Sequence, residues 1–290
     1  MQEVSLTNTS EHDVSTFDIL IEGQAIDPQY QVISISVTRE INSVPFASII
    51  IRDGEAAART FGASSRNEFV PGKKIIIKAG RDSKNAQVFK GIIIRHSIKV
   101  KNDGQGELQL LCYDEAVKMT VGRNSRYFEK VRDSDVFNEL VRNYPGLTSK
   151  SDQTKLKHNE LVQHHISDWD FMLLRAEANG MLVNVVDGVL NIAKPDTSAK
   201  PSIQITYGSS VIELEAEMDA RQQWKRVDAA SWDFANQKLF EANAVSAAIA
   251  EPGNPAGQTL SDITSPDHYK LHHSGYLLQQ ELQDWADATM

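Results

Sequence analysis

The chain has 290 residues, 41% of them hydrophobic and 24% charged, with a formal net charge of −9 and one cysteine. That length accommodates two domains with substantial cores, and no apolar run reaches the roughly 18 residues a membrane-spanning helix needs. The acidic balance, spread without long blocks of either sign, argues against nucleic acid as a partner, and the lone Cys112 excludes an intrachain disulfide.

Residues 1–16 are polar and aperiodic and read as a flexible arm. The opening Met1-Gln2-Glu3-Val4-Ser5 has neither the basic start nor the apolar stretch of a cleaved signal peptide. From residue 17 the period is that of a strand. Phe17, Ile19 and Ile21 alternate with Asp18, Leu20 and Glu22 before a turn at Gly23, and Ile33, Ile35 and Val37 alternate with Ser34, Ser36 and Thr38. Further strands are predicted at 46–51, 74–79, 88–100 and 107–113, punctuated by Asp53-Gly54, Pro71-Gly72, Gly80 and Asn102-Asp103-Gly104. Six such runs within about a hundred residues predict an antiparallel barrel or sandwich. The isoleucine runs 75–77 and 92–94 call for cover on both faces, and Cys112, inside the strand-like run 108–113, reads as a buried structural thiol.

The period then turns helical. Asp133 can cap a helix that lines up Val136, Phe137, Leu140, Val141 and Tyr144 and ends at Pro145-Gly146, with a polar loop at 148–157 after it. Residues 167–192 form one complete unit. Ser167 with Asp170 makes a capping-box-like start, and Asp168 and Asp170 put negative charge at the positive end of the helix dipole. Phe171, Leu174 and Ala178 recur at helical spacing, widened by Met172, Leu173 and Ala176, until Asn179-Gly180 supplies a left-handed stop. The strands 181–186 and 189–192 flank Asp187-Gly188, a dipeptide suited to a two-residue type I′ hairpin. Ser167, Asp170, Gly180, Asp187 and Gly188 are therefore expected to be structural residues.

Strand character returns at 203–207 and 211–218, and less regularly at 223–235. An alanine-rich stretch, 242–250, suits a helix and is broken by the Pro- and Gly-rich run 251–257. Leu278, Leu282 and Trp285 mark a last helix that reaches Met290 without a stop signal, so the sequence is expected to end inside an element.

Candidate chemistry is thin. His158, His164 and His165 stand near Asp168 and Asp170, but adjacent strand residues point to opposite faces, so His164 and His165 are expected one in and one out rather than on one ion. His268 and His272 have the i, i+4 spacing of helical zinc ligands, with His273 beside them, yet no glutamate follows His268 to serve as a base, and Pro266 and Gly275 bracket the segment. Gly104-Gln105-Gly106 lies between strands and reads as a turn, no nucleophile elbow or phosphate loop occurs, and Glu213 with Glu215 suits a solvated strand face better than a glycosidase pair. No catalytic residue, cofactor or metal is expected. The scattered aromatics give no stacking platform.

The stretch "VQHHISDWDFMLLRAEANGMLVNVVDGVLNIAKP", with "VFKGIIIRHSIKV", "SRYFEKVRDSDVFNELVRNY" and "LQQELQDWADATM", resembles the VgrG and late-control-D family, the baseplate hubs of type VI secretion systems, contractile phage tails and related injection particles. The resemblance implies a mainly β chain in which two antiparallel β-barrel modules, the second incomplete, are joined by a small α+β segment. It divides the chain into the arm 1–16, a first hub barrel 17–121, the α+β segment 122–201 and the start of a second barrel, 202–290, with an insertion at 241–270 and a final helix. It implies a non-enzymatic homotrimer that adapts a six-fold tube of Hcp-like subunits to a three-fold spike, with spike, tip and baseplate proteins and effector cargo as further partners and no membrane insertion. Such a particle is assembled in the bacterial cytoplasm and delivered outward on contraction. The competing readings are a metal-dependent cell-wall hydrolase resting on His268 and His272, and a carbohydrate-binding β-module.

Overall fold

A computed structural model describes residues 14–54, 60–101, 106–196, 198, 200–201, 203–209, 211, 213–221, 223–245, 257–264, 268–273 and 275–290. The turn at 102–104, most of the N-terminal arm, residues 246–250 of the alanine-rich stretch and the breaker run 251–256 lie outside them. As expected, the chain is mainly β and its sheets are largely antiparallel.

The first seven strands are Ser15–Ile21 (β1), Gln24–Ala25 (β2), Val32–Thr38 (β3), Phe46–Asp53 (β4), Lys74–Arg81 (β5), Lys84–Val100 (β6) and Gly106–Tyr113 (β7), in the order β2-β1-β5-β6-β7-β4-β3. Residues 15 and 16, expected in the arm, thus belong to β1. The sheet turns a corner inside β6. Residues 84–92 of β6 pair with β5 and residues 92–100 with β7, with a register shift at each half. A strand that passes from one half-sheet to another through bulges is how orthogonal β layers are joined. Gly91 sits at the crossing, where a Cβ would stand 2.1 Å from the Tyr113 carbonyl oxygen, so backbone approaches backbone there and only glycine fits. The two halves close on a core that includes Ile19, Ile49, Ile77, Phe69, Phe89, Ile93, Leu110 and Cys112. Burial pushes the Cys112 thiol up to about 12. Ile33 was expected inward with Ile35 and Val37, but a bulge between Val32 and Ser34 turns it outward, 52% exposed.

The middle of the chain carries Asn124–Val131 (β8), Asp133–Arg142 (α1), Thr148–Ser151 (β9), His158–Ile166 (β10), Asp168–Ala178 (α2), Leu182–Val186 (β11) and Val189–Ala193 (β12). β8 and β10 form an antiparallel ribbon, while β12 pairs with β11 on one side and, in parallel, with β9 on the other. The supposed polar loop at 148–157 therefore contains a strand, because pairing with β12 overrides a composition without β preference. The two helices and three sheet strands enclose a core around Val136, Phe137, Leu140, Trp169, Met172, Val183 and Leu190. Leu174, placed on the apolar face by spacing, is 55% exposed; the buried face of α2 is Trp169, Phe171, Met172 and Ala176.

Beyond residue 194 come Val227–Asp233 (β13), Lys238–Ala244 (β14), Gly257–Thr264 (α3), Tyr269–His273 (β15) and Gln279–Thr289 (α4). β13 pairs antiparallel with β14 and parallel with β15, and α4 packs Leu282 and Ala286 onto this sheet. Ala242 and Ala244 face its core as strand residues, so the region read as an insertion from 241 begins inside β14 and ends inside β15. Among the described residues the strands expected at 203–207 and 211–218 are not formed. Their described residues join no sheet and leave Ile203, Ile205, Tyr207, Leu214 and Met218 between 59% and 92% exposed, because no second apolar layer lies over them.

Candidate functional site

Two buried carboxylates organise the middle segment. Asp168, the first residue of α2, is fully buried. One of its oxygens accepts from Asn124 Nδ2 at 2.8 Å and Gln163 Nε2 at 2.7 Å, the other from Arg126 Nη2 at 3.1 Å and the Tyr144 hydroxyl at 2.9 Å. Burial, together with the bond to Asp168, pushes the Tyr144 hydroxyl up to about 12.

Asp133 occupies the matching first position of α1 and is likewise buried; Arg132, not Asp133, stands at the cap. Its oxygens accept from Arg175 Nε at 2.7 Å and Nη2 at 3.1 Å, from His158 Nε2 at 2.9 Å and from Asn179 Nδ2 at 2.9 Å. Arg175 Nη2 also donates to Glu281 of α4 at 2.8 Å, and the His158 ring lies 3.8 Å from the same carboxylate. Burial alone would raise the Asp133 carboxyl, but the hydrogen bonds from His158 and Arg175 and the guanidinium charge prevail and hold it well below the usual carboxylate range. The cluster joins four elements, α1, β10, α2 and α4. Removing one member of such a buried set strands the others' charges, which is costlier than the net worth of the intact pair. Every oxygen of both aspartates already has a fixed partner, an arrangement that clamps elements together rather than offering a base to a substrate.

The five residues singled out by sequence lie on one unit. The Ser167 hydroxyl caps α2, accepting from the Asp170 N–H at 3.0 Å and donating to its carboxylate at 2.6 Å. Gly180 follows the helix with φ +64°. Asp187 (φ 54°) and Gly188 (φ 85°) form the two-residue turn between β11 and β12, both in the left-handed region that a type I′ hairpin requires. The turn also docks. Gln87 of β6 donates to Asp187 at 2.6 Å, and the Gly188 N–H donates to the buried Asp114, beyond the end of β7, at 2.9 Å. With the reciprocal 2.8 Å bonds between Asn42 and Val183, this joins the first sheet to the middle segment at three points.

The histidines are placed differently from expectation. His164 and His165 are both exposed, because a bulge at the end of β10 gives His165 φ 47° and breaks the alternation; Gln163 takes the inward place. His268 and His272 lie at and within a strand rather than on a helix, and His268 Nδ1 stands 3.2 Å from Asp228. Among the described residues no three His, Cys, Asp or Glu side chains converge as ligands, and no described helix is long and apolar enough to cross a membrane. The Asp133, His158, Arg175 and Glu281 cluster was not anticipated. Its one sequence signal is Arg175, a cation set between Leu174 and Ala176 in an otherwise apolar stretch of helix.

The family model described as the Alg8 N-terminal domain matches residues 11–290, a different family from the VgrG and late-control-D group that the motifs resemble. No curated protein matches the chain in sequence. Among solved structures, the 43 kDa tail protein of prophage MuSo2 from Shewanella oneidensis superposes with a TM-score of 0.67 at 10% identity, over 93% of this chain and 76% of that one. The tail protein from Neisseria meningitidis MC58 gives 0.63 at 13% identity, over 94% and 74%. A third similar structure is a chain of the lidded PdpA–VgrG complex of Francisella, at 0.51 and 12% identity, over 90% of this chain and 40% of that one. The fold is that of phage tail proteins.

Proposed function

The chain belongs to the Alg8 N-terminal domain family, and from its fold we propose that it is a structural hub subunit of a contractile injection machine, akin to VgrG and late-control-D proteins. The observation that carries the reading is the likeness to two tail proteins across more than nine-tenths of the chain. Three copies form a ring that docks on a six-fold tube of Hcp-like subunits and passes to a three-fold spike, with baseplate proteins and effector cargo alongside. The particle is put together in the bacterial cytoplasm and works by geometry, without turnover. The buried clusters support this role, since they tie the elements of the middle segment to one another and to α4 while their carboxylates are engaged. The exposed apolar residues Ile203, Ile205, Tyr207, Leu214 and Met218 support it too, because a subunit interface would cover them.

The test is the mass of the assembled full-length protein, free and with tube protein, followed by imaging of the complex. Three copies in contact with the first tube ring is the expected result. A monomer indifferent to tube protein, or turnover of cell-wall material with one zinc per chain, would refute it.

A further inference from the structure

Two features of this chain are unfinished strands that match each other. The first is the far half of β6. After Ile93, whose N–H and carbonyl bond to Lys73 and Gly72, the side of β6 that faced β5 has no strand partner among the described residues, while the other side stays paired to β7 up to Val100. Side chains alternate along this open edge. His96, Ile98 and Val100 lie on the core side, opposite Leu110, Leu108 and Gly106, yet Ile98 is 48% and Val100 61% exposed because the sheet opposite stops short. Arg95, Ser97 and Lys99 lie on the outer side, opposite Leu111, Gln109 and Glu107.

The second is residues 213–218, Glu-Leu-Glu-Ala-Glu-Met. The sequence alternates with strand period, Glu213, Glu215 and Glu217 against Leu214, Ala216 and Met218, and all six are exposed and in no sheet. A strand with one carboxylate face and one apolar face complements an edge with one basic face and one apolar face.

We propose that residues 213–218 of one copy add as a strand to the edge formed by residues 94–100 of a second copy of this chain. The proposal deepens the ring reading above and rests on it. Main-chain hydrogen bonds would supply affinity, as in other strand additions, and the two side-chain faces would fix register. Each chain carries one such edge and one such strand, so head-to-tail use in a closed ring leaves neither unsatisfied. A second copy therefore fits the surface better than an unrelated partner does. The centre of the match is insensitive to direction: whether the strand runs parallel or antiparallel, pairing Arg95 and Lys99 with the outer glutamates sets Ser97 opposite Glu215.

That symmetry gives the experiment. Full-length Ser97→Cys and Glu215→Cys proteins are mixed and oxidised, Cys112 being buried and out of reach, and association is followed by light scattering. A disulfide joining the two different chains is expected. Glu213→Lys, Glu215→Lys and Glu217→Lys together should raise the concentration needed for assembly by about tenfold or more, with the circular dichroism unchanged, and adding Arg95→Glu and Lys99→Glu should restore it. Trimers that form without this disulfide and ignore the charge reversal would overturn the strand pairing and leave the ring reading standing. A protein monomeric at every concentration would overturn both. An intrachain disulfide in a monomeric chain carrying both cysteines would show that the strand folds onto its own edge, which also overturns the pairing between copies.

Discussion

The first sheet and the last one are made of similar material and end in different states. The core within β1–β7 has fourteen buried apolar residues, seven of them isoleucine, closed between two halves of one folded sheet. Among the described residues the core of β13–β15 with α4 has six, four of them alanine, and Ile203, Ile205, Tyr207, Leu214 and Met218 remain in water instead of enlarging it. Buried apolar area is the main term that offsets chain entropy. The first region is thus self-sufficient, whereas the second depends on a neighbour, α2, through Arg175 and Glu281.

Breaking the self-sufficient side should give the largest effect. Gly91→Val puts a side chain into the Tyr113 carbonyl at the corner of β6, and we expect no folded protein, or a loss above roughly 4 kcal/mol by urea titration. Next comes the tie between the regions. Arg175→Met leaves Asp133 and Glu281 buried without their cation, for a loss of about 3–5 kcal/mol, and hydrogen exchange should show α4 and β13–β15 opening before the first sheet does. Uniform protection across both sheets in that variant would remove the contrast drawn here.

The same tie sets an acid limit. Since the folded Asp133 carboxyl is held below its unfolded value, its contribution is fully present above the ordinary carboxylate pKa of about 4 and disappears as pH falls through the folded value. Asp133→Asn should flatten the stability profile below about pH 4 while lowering stability at neutrality; an unaltered acid limb would show that other carboxylates govern it.

Smaller effects follow from the hairpin. Gly180→Val and Gly188→Val each force a β-branched residue into positive φ and should cost about 1–3 kcal/mol, read as a lower melting temperature. Smallest of all, Leu214→Ser with Met218→Ser should change the stability of the unassembled chain by less than about 0.5 kcal/mol, both side chains being in water already.

Where residues speak to their own neighbours, the sequence was readable. The strands of the first sheet, the helix from Ser167 to its Gly180 stop and the Asp187-Gly188 turn all follow from period and turn chemistry within a few residues. What escaped depends on distant partners. β9 is a strand only because β12 lies beside it, and the described residues of 203–218, with a strand's alternation, stay out of any sheet for want of one. The Asp133 cluster draws its members from four separate elements, and Asp133 read as a cap because a carboxylate at a helix start serves either purpose. Local pattern cannot say which purpose wins, as the decision lies in where Arg175 and Glu281 arrive.

The separation of that last pair has a consequence for the order of events in folding. Arg175 and Glu281 are 106 positions apart, while Asp133, His158, Arg175 and Asn179 all fall within one shorter stretch of chain. The entropy of closing a loop grows only slowly with its length, but the search takes longer when contacts are remote. During synthesis the middle segment can therefore assemble early, with Arg175 paired to Asp133 and its other side still hydrated. Docking of α4 then expels that water and brings in the second carboxylate. On this ordering the helix acts as a latch that shuts late.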